Sequence, residues 1–520
     1  MRLPLAPALA VALAFTAAPR DACRAQEAPE LLRLAIAGPA TWRTRLQPTD
    51  LGSMLATAAA EKIWRRYVDD LDGALRGLRG ADAEFARERG RFLDYAGTLH
   101  VVAWLDQAED ALNVPRWSAA LVAEPDGHTD LAAMAAESEQ WLQRLGDTTS
   151  NAWRDMRPSP PRVHDGRLVL VFASDEDREP ATARALAFRG KAIDPRDVLR
   201  VELEVAPMLG LLRDRAWDRG FFADLLGAAT QRVTGTLGAF GPDLSAAVRV
   251  EFAATGERGV FAALVPERNG VPRLSGLLPN EVSLHGAWHI DWSAAWRTFC
   301  SVWGGVGERS PAEARERLER QLGIDVGKVI APMLREDVLL VCDRGDPDDG
   351  AVPLARACLV VPLRDAEKLV EALEPVVKHL GGFAVHGGDA LWSCTFPDGI
   401  ELVVDEGLLC IGGVAHRAAI AAKVRERAAA AGVPAAQSDD AGAGVVGRGE
   451  IAVPVFAQSE LFPALRLVPL LFGVAFRLPA REFLADEVAR WTPLLHQHRL
   501  GAAAMQMRTR PGEVLLRILW

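Results

Sequence analysis

A chain of 520 residues, 49% apolar and 25% charged, can bury more than one core and is too apolar to stay unfolded. Its formal net charge of −10 gives no excess of lysine and arginine to neutralise phosphates, so nucleic acid is not an expected partner.

Arg2, the apolar run Leu3 to Ala18 and a polar stretch ending at Ala25 form the three regions of a signal peptide over residues 1–25. Cleavage is expected after Ala25, because a cut after Ala18 would put Pro19 across the scissile bond. Lipidation at Cys23 is the competing reading, disfavoured by Arg20 and Asp21 just before it. The mature protein is thus expected to be exported, periplasmic or extracellular. Of the remaining chain only Leu461 to Leu478 nears membrane length. Arg466, Pro463 and Pro469 interrupt it, so no transmembrane segment is expected after cleavage.

A first unit, residues 26–276, opens with Thr41 to Asp50 as a short extended segment and a helix from about Leu51 to Leu78 capped by Asp50. Gly97 to Leu145 then reads as apolar strand, acidic loop, second strand, Asp-containing turn and amphipathic helix. Gly166 to Ala173 is a continuous apolar run and predicts a buried strand, followed by a strand from Asp197 to Val205 and a helix over Met208 to Gly238. The segment AAVRVEFAATGERGVFAALV predicts a closing hairpin with Gly256 in its turn.

A second unit, residues 277–520, begins with a strand over Glu281 to Trp292 and helices at Trp292 to Trp303 and Arg315 to Leu322. Glu336 to Leu380 repeats the order found at Gly97 to Leu145. Its helix carries Ala366, Leu369, Val370, Leu373, Val376, Val377 and Leu380 on one face, with Asp365 as its cap. Phe383 to Gly413 predicts a three-strand meander, Ala415 to Ala431 a helix, and MQMRTRPGEVLLRILW a counterpart of the earlier hairpin. The expected fold class is α+β, with two tandem related units, each a largely antiparallel sheet covered by amphipathic helices.

Few residues look chemical. His285, His289 and Asp291 alternate along one strand, and two imidazoles with a carboxylate suit zinc. Residues i and i+4 of a strand nevertheless lie roughly 13 Å apart, so a solvent face is the favoured reading. Asp343, Asp346 and Asp348 in DRGDPDDG could hold calcium weakly, but the spacing departs from a calcium loop and fits a hairpin loop. Gly442, Gly444 and Gly447 match G-x-G-x-x-G without the preceding strand and following helix that a dinucleotide needs. Cys300, Cys342, Cys358, Cys394 and Cys410 read first as buried core thiols and second as cross-strand disulfides such as Cys342 to Cys358. No cofactor is expected.

The runs ACLVVPLRDAEKLVEAL and HGGDALWSCTFPDGIELVVDEGLLCIGG, with Leu322-Gly323-Ile324-Asp325 ahead of VIAPMLREDVLLVCD, resemble an uncharacterised family of bacterial exported proteins, a domain of unknown function. The resemblance is best over residues 278–427 and implies an envelope location and a fold plan without catalytic residues. The expected function is a non-catalytic envelope protein binding a protein partner or an apolar ligand. The alternative is a metal-assisted hydrolase using histidines and aspartates of the second unit.

Overall fold

A computed structural model describes residues 28–63, 96–106, 116–125, 130–146, 157–191, 193–207, 226–240, 243–264, 284–305, 311–342, 357–387, 390–396, 400–405, 407–413, 445–453, 481–510 and 512–520. The described strands run in chain order as β1 (Glu30–Ala37), β2 (Ala96–Asp106), β3 (Arg116–Pro125), β4 (Arg157–Pro158), β5 (Arg162–His164), β6 (Arg167–Ala173), β7 (Asp197–Glu204), β8 (Thr230–Phe240) and β9 (Asp243–Phe252). They continue as β10 (Leu284–His289), β11 (Asp337–Cys342), β12 (Ala357–Pro362), β13 (Phe383–His386), β14 (Trp392–Thr395), β15 (Ile400–Asp405), β16 (Leu408–Gly413), β17 (Val445–Ala452), β18 (Ala502–Arg510) and β19 (Glu513–Leu519). The helices used below are α1 (Pro39–Leu46), α2 (Asp50–Leu55), α3 (Leu131–Gly146), α4 (Arg178–Ala187), α5 (Trp292–Gly305), α6 (Pro311–Leu322), α7 (Val326–Val329), α8 (Ala366–His379) and α9 (Arg481–Gln497).

The 19 described strands pair antiparallel throughout, most of them with a partner on each side. This overturns the expected α+β class of two helix-covered units: the molecule is dominated by a sheet, with helices laid over parts of it. The physical reason is that these strands satisfy their backbone groups on ladder partners at both edges, so pairing and not helix cover organises each half. Contacts nevertheless divide the chain into two compact units, the first taking in β1 to β7 with residues 232–248 and the second most of the chain from Arg249 onward.

In the first unit β3 lies between β2 and β6, and β1 lies between β2 and β7. The buried run of β6 is explained by cover on both faces. Val102, Val122, Val169 and Val171 pack against the small side chains Ala181 and Ala185 of α4 and against Phe188. Leu99, Leu121, Leu168 and Leu170 pack on the other face against Met134 of α3. Period-2 alternation thus sends valines to one helix and leucines to another. Asp130 starts α3 by accepting from the N–H groups of Ala132 and Ala133 at 3.0 and 3.2 Å.

In the second unit β10 lies between β11 and β17, and β12 lies between β11 and β16. α8 covers one face: Leu369, Val370, Leu373 and Val377 meet Val338, Val361, Val404, Leu409 and Trp392. Asp365 caps it as expected, accepting from Lys368 N–H at 3.1 Å. Leu380 does not belong to the stripe, for it lies past the helix and is exposed. The other face carries Ala287, Leu339, Val341, Cys358, Val360 and Cys410. The order strand, strand, helix is therefore common to β2, β3 and α3 and to β11, β12 and α8.

Several local expectations fail for identifiable reasons. Thr41 to Asp50 is mostly α1, not extended, because Trp42 and Leu46 at i and i+4 bury one face behind Pro39 in the first turn. The cap of α2 is Thr49, whose Oγ1 accepts from Gly52 N–H at 3.0 Å, and not Asp50. Within the predicted helix Met208 to Gly238, Thr230 onward is β8, since its β-branched residues find a ladder on β7. Beyond Gly256 the chain enters a 3-10 turn at Gly259–Ala263 instead of returning as a strand, and β9 pairs with β8 and β19. The predicted three-strand meander is four strands, β13 to β16. Ala415 to Ala431, Leu461 to Leu478, Gly442, Gly444, Asp343, Asp346 and Asp348 lie outside the described residues. Among the described residues no helix is long and apolar enough to cross a membrane.

Candidate functional site

The candidate histidines occupy the middle of the sheet. His285 and His289 are each 6% exposed, which corrects the solvent-face reading: their strand has a neighbour on each side, and the same face is filled by Leu339 and Val341. Each imidazole meets a carboxylate from an adjacent strand. His289 Nδ1 lies 2.6 Å from Asp337 Oδ1, and His285 Nε2 lies 3.6 Å from Glu450 Oε2. Neither facing nitrogen, His289 Nδ1 nor His285 Nε2, makes a hydrogen bond with its carboxylate. Asp291 is not a third partner, because its carboxylate caps α5 by accepting from Ala294 N–H at 3.0 Å. Among the described residues no three His, Cys, Asp or Glu side chains are grouped so that they could hold a metal ion.

Gly447 lies opposite Trp288 on β17 and does not belong to a phosphate loop. A Cβ there would stand 2.2 Å from the indole Cδ1, and a Cβ on Gly286 would stand 2.4 Å from the same ring's far edge. The two glycines make room for Trp288 across the ladder.

Cys300, Cys342, Cys358, Cys394 and Cys410 are buried and form no disulfide among the described residues, as the core-thiol reading expects and the disulfide reading does not. Burial, with Glu319 adding to it, pushes the Cys300 thiol up to about 11. Burial likewise raises Cys394. Neither is a thiolate at neutral pH, so neither is an activated nucleophile.

The first unit has a closed polar cluster of its own. Arg184 Nη2 donates to Ser118 Oγ at 3.0 Å and also pairs with Asp106, while its guanidinium lies over Trp104, 5.5 Å from the ring centre. Burial pushes the Asp106 carboxyl above its ordinary range, against the pull of Ser118 and Arg184.

The second unit holds a different kind of place, an open cleft of about 470 Å³ between the 3-10 turn, α5 and α6. Its α5 wall is a helical stripe: Ala294, Arg297, Thr298 and Ser301 stand at i, i+3, i+4 and i+7 and so share one side of the helix. The 3-10 turn supplies Phe261, Ala262 and Leu264, with Arg258 at its start and Phe261 leaning on Phe252, ring centres 5.4 Å apart. Thr298 Oγ1 donates to Gly259 O at 2.9 Å, and Asp291 N–H donates to Ala263 O at 2.7 Å, so turn and helix are tied at two points. Ala312 and Arg315, one turn apart, form the α6 wall.

The cleft's polar groups are unbalanced. Among the described lining residues Arg258, Arg297 and Arg315 stand with one carboxylate, Glu257, and Glu319 pairs with Arg315 from α6, so positive charge exceeds negative by one, in a chain of net charge −10. Arg315 Nε is held 3.0 Å from Glu319 Oε1, and Arg258 lies 5.3 Å from the centre of the Phe252 ring. No acidic side chain pairs with Arg297 among the described residues. Ser301 is 8% exposed, yet its buried hydroxyl has no hydrogen-bond partner among them. A buried hydroxyl left so costs about 1–3 kcal/mol, and a ligand that accepts from it recovers that cost.

Sequence reasoning missed this cleft. The signal was the Ala294, Arg297, Thr298, Ser301 stripe inside a helix that was correctly expected, but one wall is a 3-10 turn hidden in a predicted hairpin. Comparison with protein-family models, with curated proteins and with solved structures finds no match to this chain.

Proposed function

We propose that the protein is an exported, non-catalytic envelope protein that holds a small ligand with an apolar body in the cleft between α5, α6 and the 3-10 turn. The observation that carries this reading is the open volume of about 470 Å³ floored by Phe261, Leu264 and Ala294, with the unpartnered Ser301 hydroxyl on its wall. The signal-peptide pattern over residues 1–25 supports the location.

The chemistry of the lining argues for binding over turnover. Thr298 spends its proton on the Gly259 carbonyl, Cys300 stays a thiol, and among the described residues no histidine or aspartate lines the cleft to serve Ser301 as a base. Native mass spectrometry of the mature protein isolated from envelope fractions is expected to show a bound small molecule. Ala262→Trp, at an exposed lining position, is expected to lose that mass while keeping the wild-type melting temperature. A ligand retained by Ala262→Trp, or none in the wild type, would contradict the reading.

A further inference from the structure

We infer that the ligand of this cleft carries a single anionic head, a carboxylate, phosphate or sulfate, beside its apolar body; the inference rests on the binding role proposed above and names its ligand class. Three features point the same way. Among the described residues the cleft reverses the sign of the chain's charge: Glu319 is taken up by Arg315, and Arg258 and Arg297 stand with the one remaining carboxylate, Glu257. Arg297 comes from the same side of α5 as Ser301, one turn away, so a charged donor without an acidic partner and a neutral donor without an acceptor stand side by side. An oxyanion is the group that takes both at once: it accepts from a guanidinium in a two-pronged fashion and from a hydroxyl through a remaining lone pair.

A neutral ligand would leave Arg297 without its counterion. A cationic ligand would meet a like charge in Arg297. The apolar body is required separately, because Phe261, Leu264 and Ala294 offer an oxyanion nothing. Arg258 and Arg315 are restrained by Phe252 and Glu319, so they shape the field, while Arg297 supplies the direct contact.

Titration calorimetry on the full mature protein with four probes tests this: decanoate, decanol, decylammonium and inorganic phosphate. The expected result is decanoate at least tenfold tighter than decanol, decylammonium weakest, and inorganic phosphate far weaker than decanoate. Arg297→Ala is expected to weaken decanoate about tenfold and leave decanol unchanged. Decanol binding as tightly as decanoate, or decanoate insensitive to Arg297→Ala, would overturn the anionic head while leaving the cleft as an apolar site. No binding of either decyl chain would overturn the binding role itself. Phosphate as tight as decanoate would remove the apolar body and leave an anion site. Arg297 is exposed, so its truncation is not expected to disturb folding, and Arg297→Lys, which keeps charge without the planar fork, should recover part of the loss.

Discussion

The two polar groupings of the second unit teach by contrast. On β10 and β11, His289 and Asp337 stand 2.6 Å apart within the sheet as a histidine–carboxylate pair, and neither lines the cleft. Beside α5, Ser301 and Arg297 border open volume, one with no acceptor and the other with no acidic partner among the described residues. The histidines have the more reactive side chains and the weaker case. Residue type alone favours His285 and His289, whereas donors that border open volume favour the cleft.

That contrast can be broken where the fold is tightest. Gly447→Leu drives a side chain into the Trp288 indole, and urea unfolding should show a loss of about 3 kcal/mol. Decanoate affinity should be unchanged in the fraction that folds, because the cleft lies on other elements. Equal stability would mean that Trp288 is loosely held and the close ladder is not a constraint.

Asp337→Ala removes the carboxylate beside His289 and should cost about 2 kcal/mol in the same measurement, again without changing ligand binding. A loss of binding without a loss of stability would move the site to the histidines. Thr49→Ala removes both the bond from its hydroxyl to Leu46 O at 2.7 Å and the cap of α2, and should cost about 1 kcal/mol.

How much of this was legible in the sequence depends on the range of the interactions. The α8 stripe, the Asp365 cap and the buried run of β6 are written in local spacing, and they stand as expected. β1 precedes the segment Thr41 to Asp50 with which the first unit is expected to open, and its place is fixed by long-range pairing with β2 and β7. The strand β8 looked helical because a glycine-rich, alternating segment acquires its structure only from β7. The cleft needed a 3-10 turn brought against two helices, and no periodicity encodes that encounter. The burial of His285 and His289 depended on strands more than forty residues away in sequence.

The smallest effect concerns pH in the first unit. The Glu124 carboxyl is held below its ordinary range chiefly by contact with His100, whose Nε2 lies 3.7 Å away. Its folded value is lowered, so its contribution is present at neutral pH and lost as pH falls through that lowered value, below 4.5. Glu124→Gln should flatten the acid limb of the stability curve slightly and leave the neutral plateau nearly in place.

Hydrogen exchange with and without decanoate tests the central contrast most directly, because it reads both groupings in one experiment. The account predicts slowed exchange in the 3-10 turn at Gly259–Ala263 and along α5 from Ala294 to Ser301, with β10 and β11 unaltered. Slowing centred on β10 and β11, or no slowing anywhere, would contradict it.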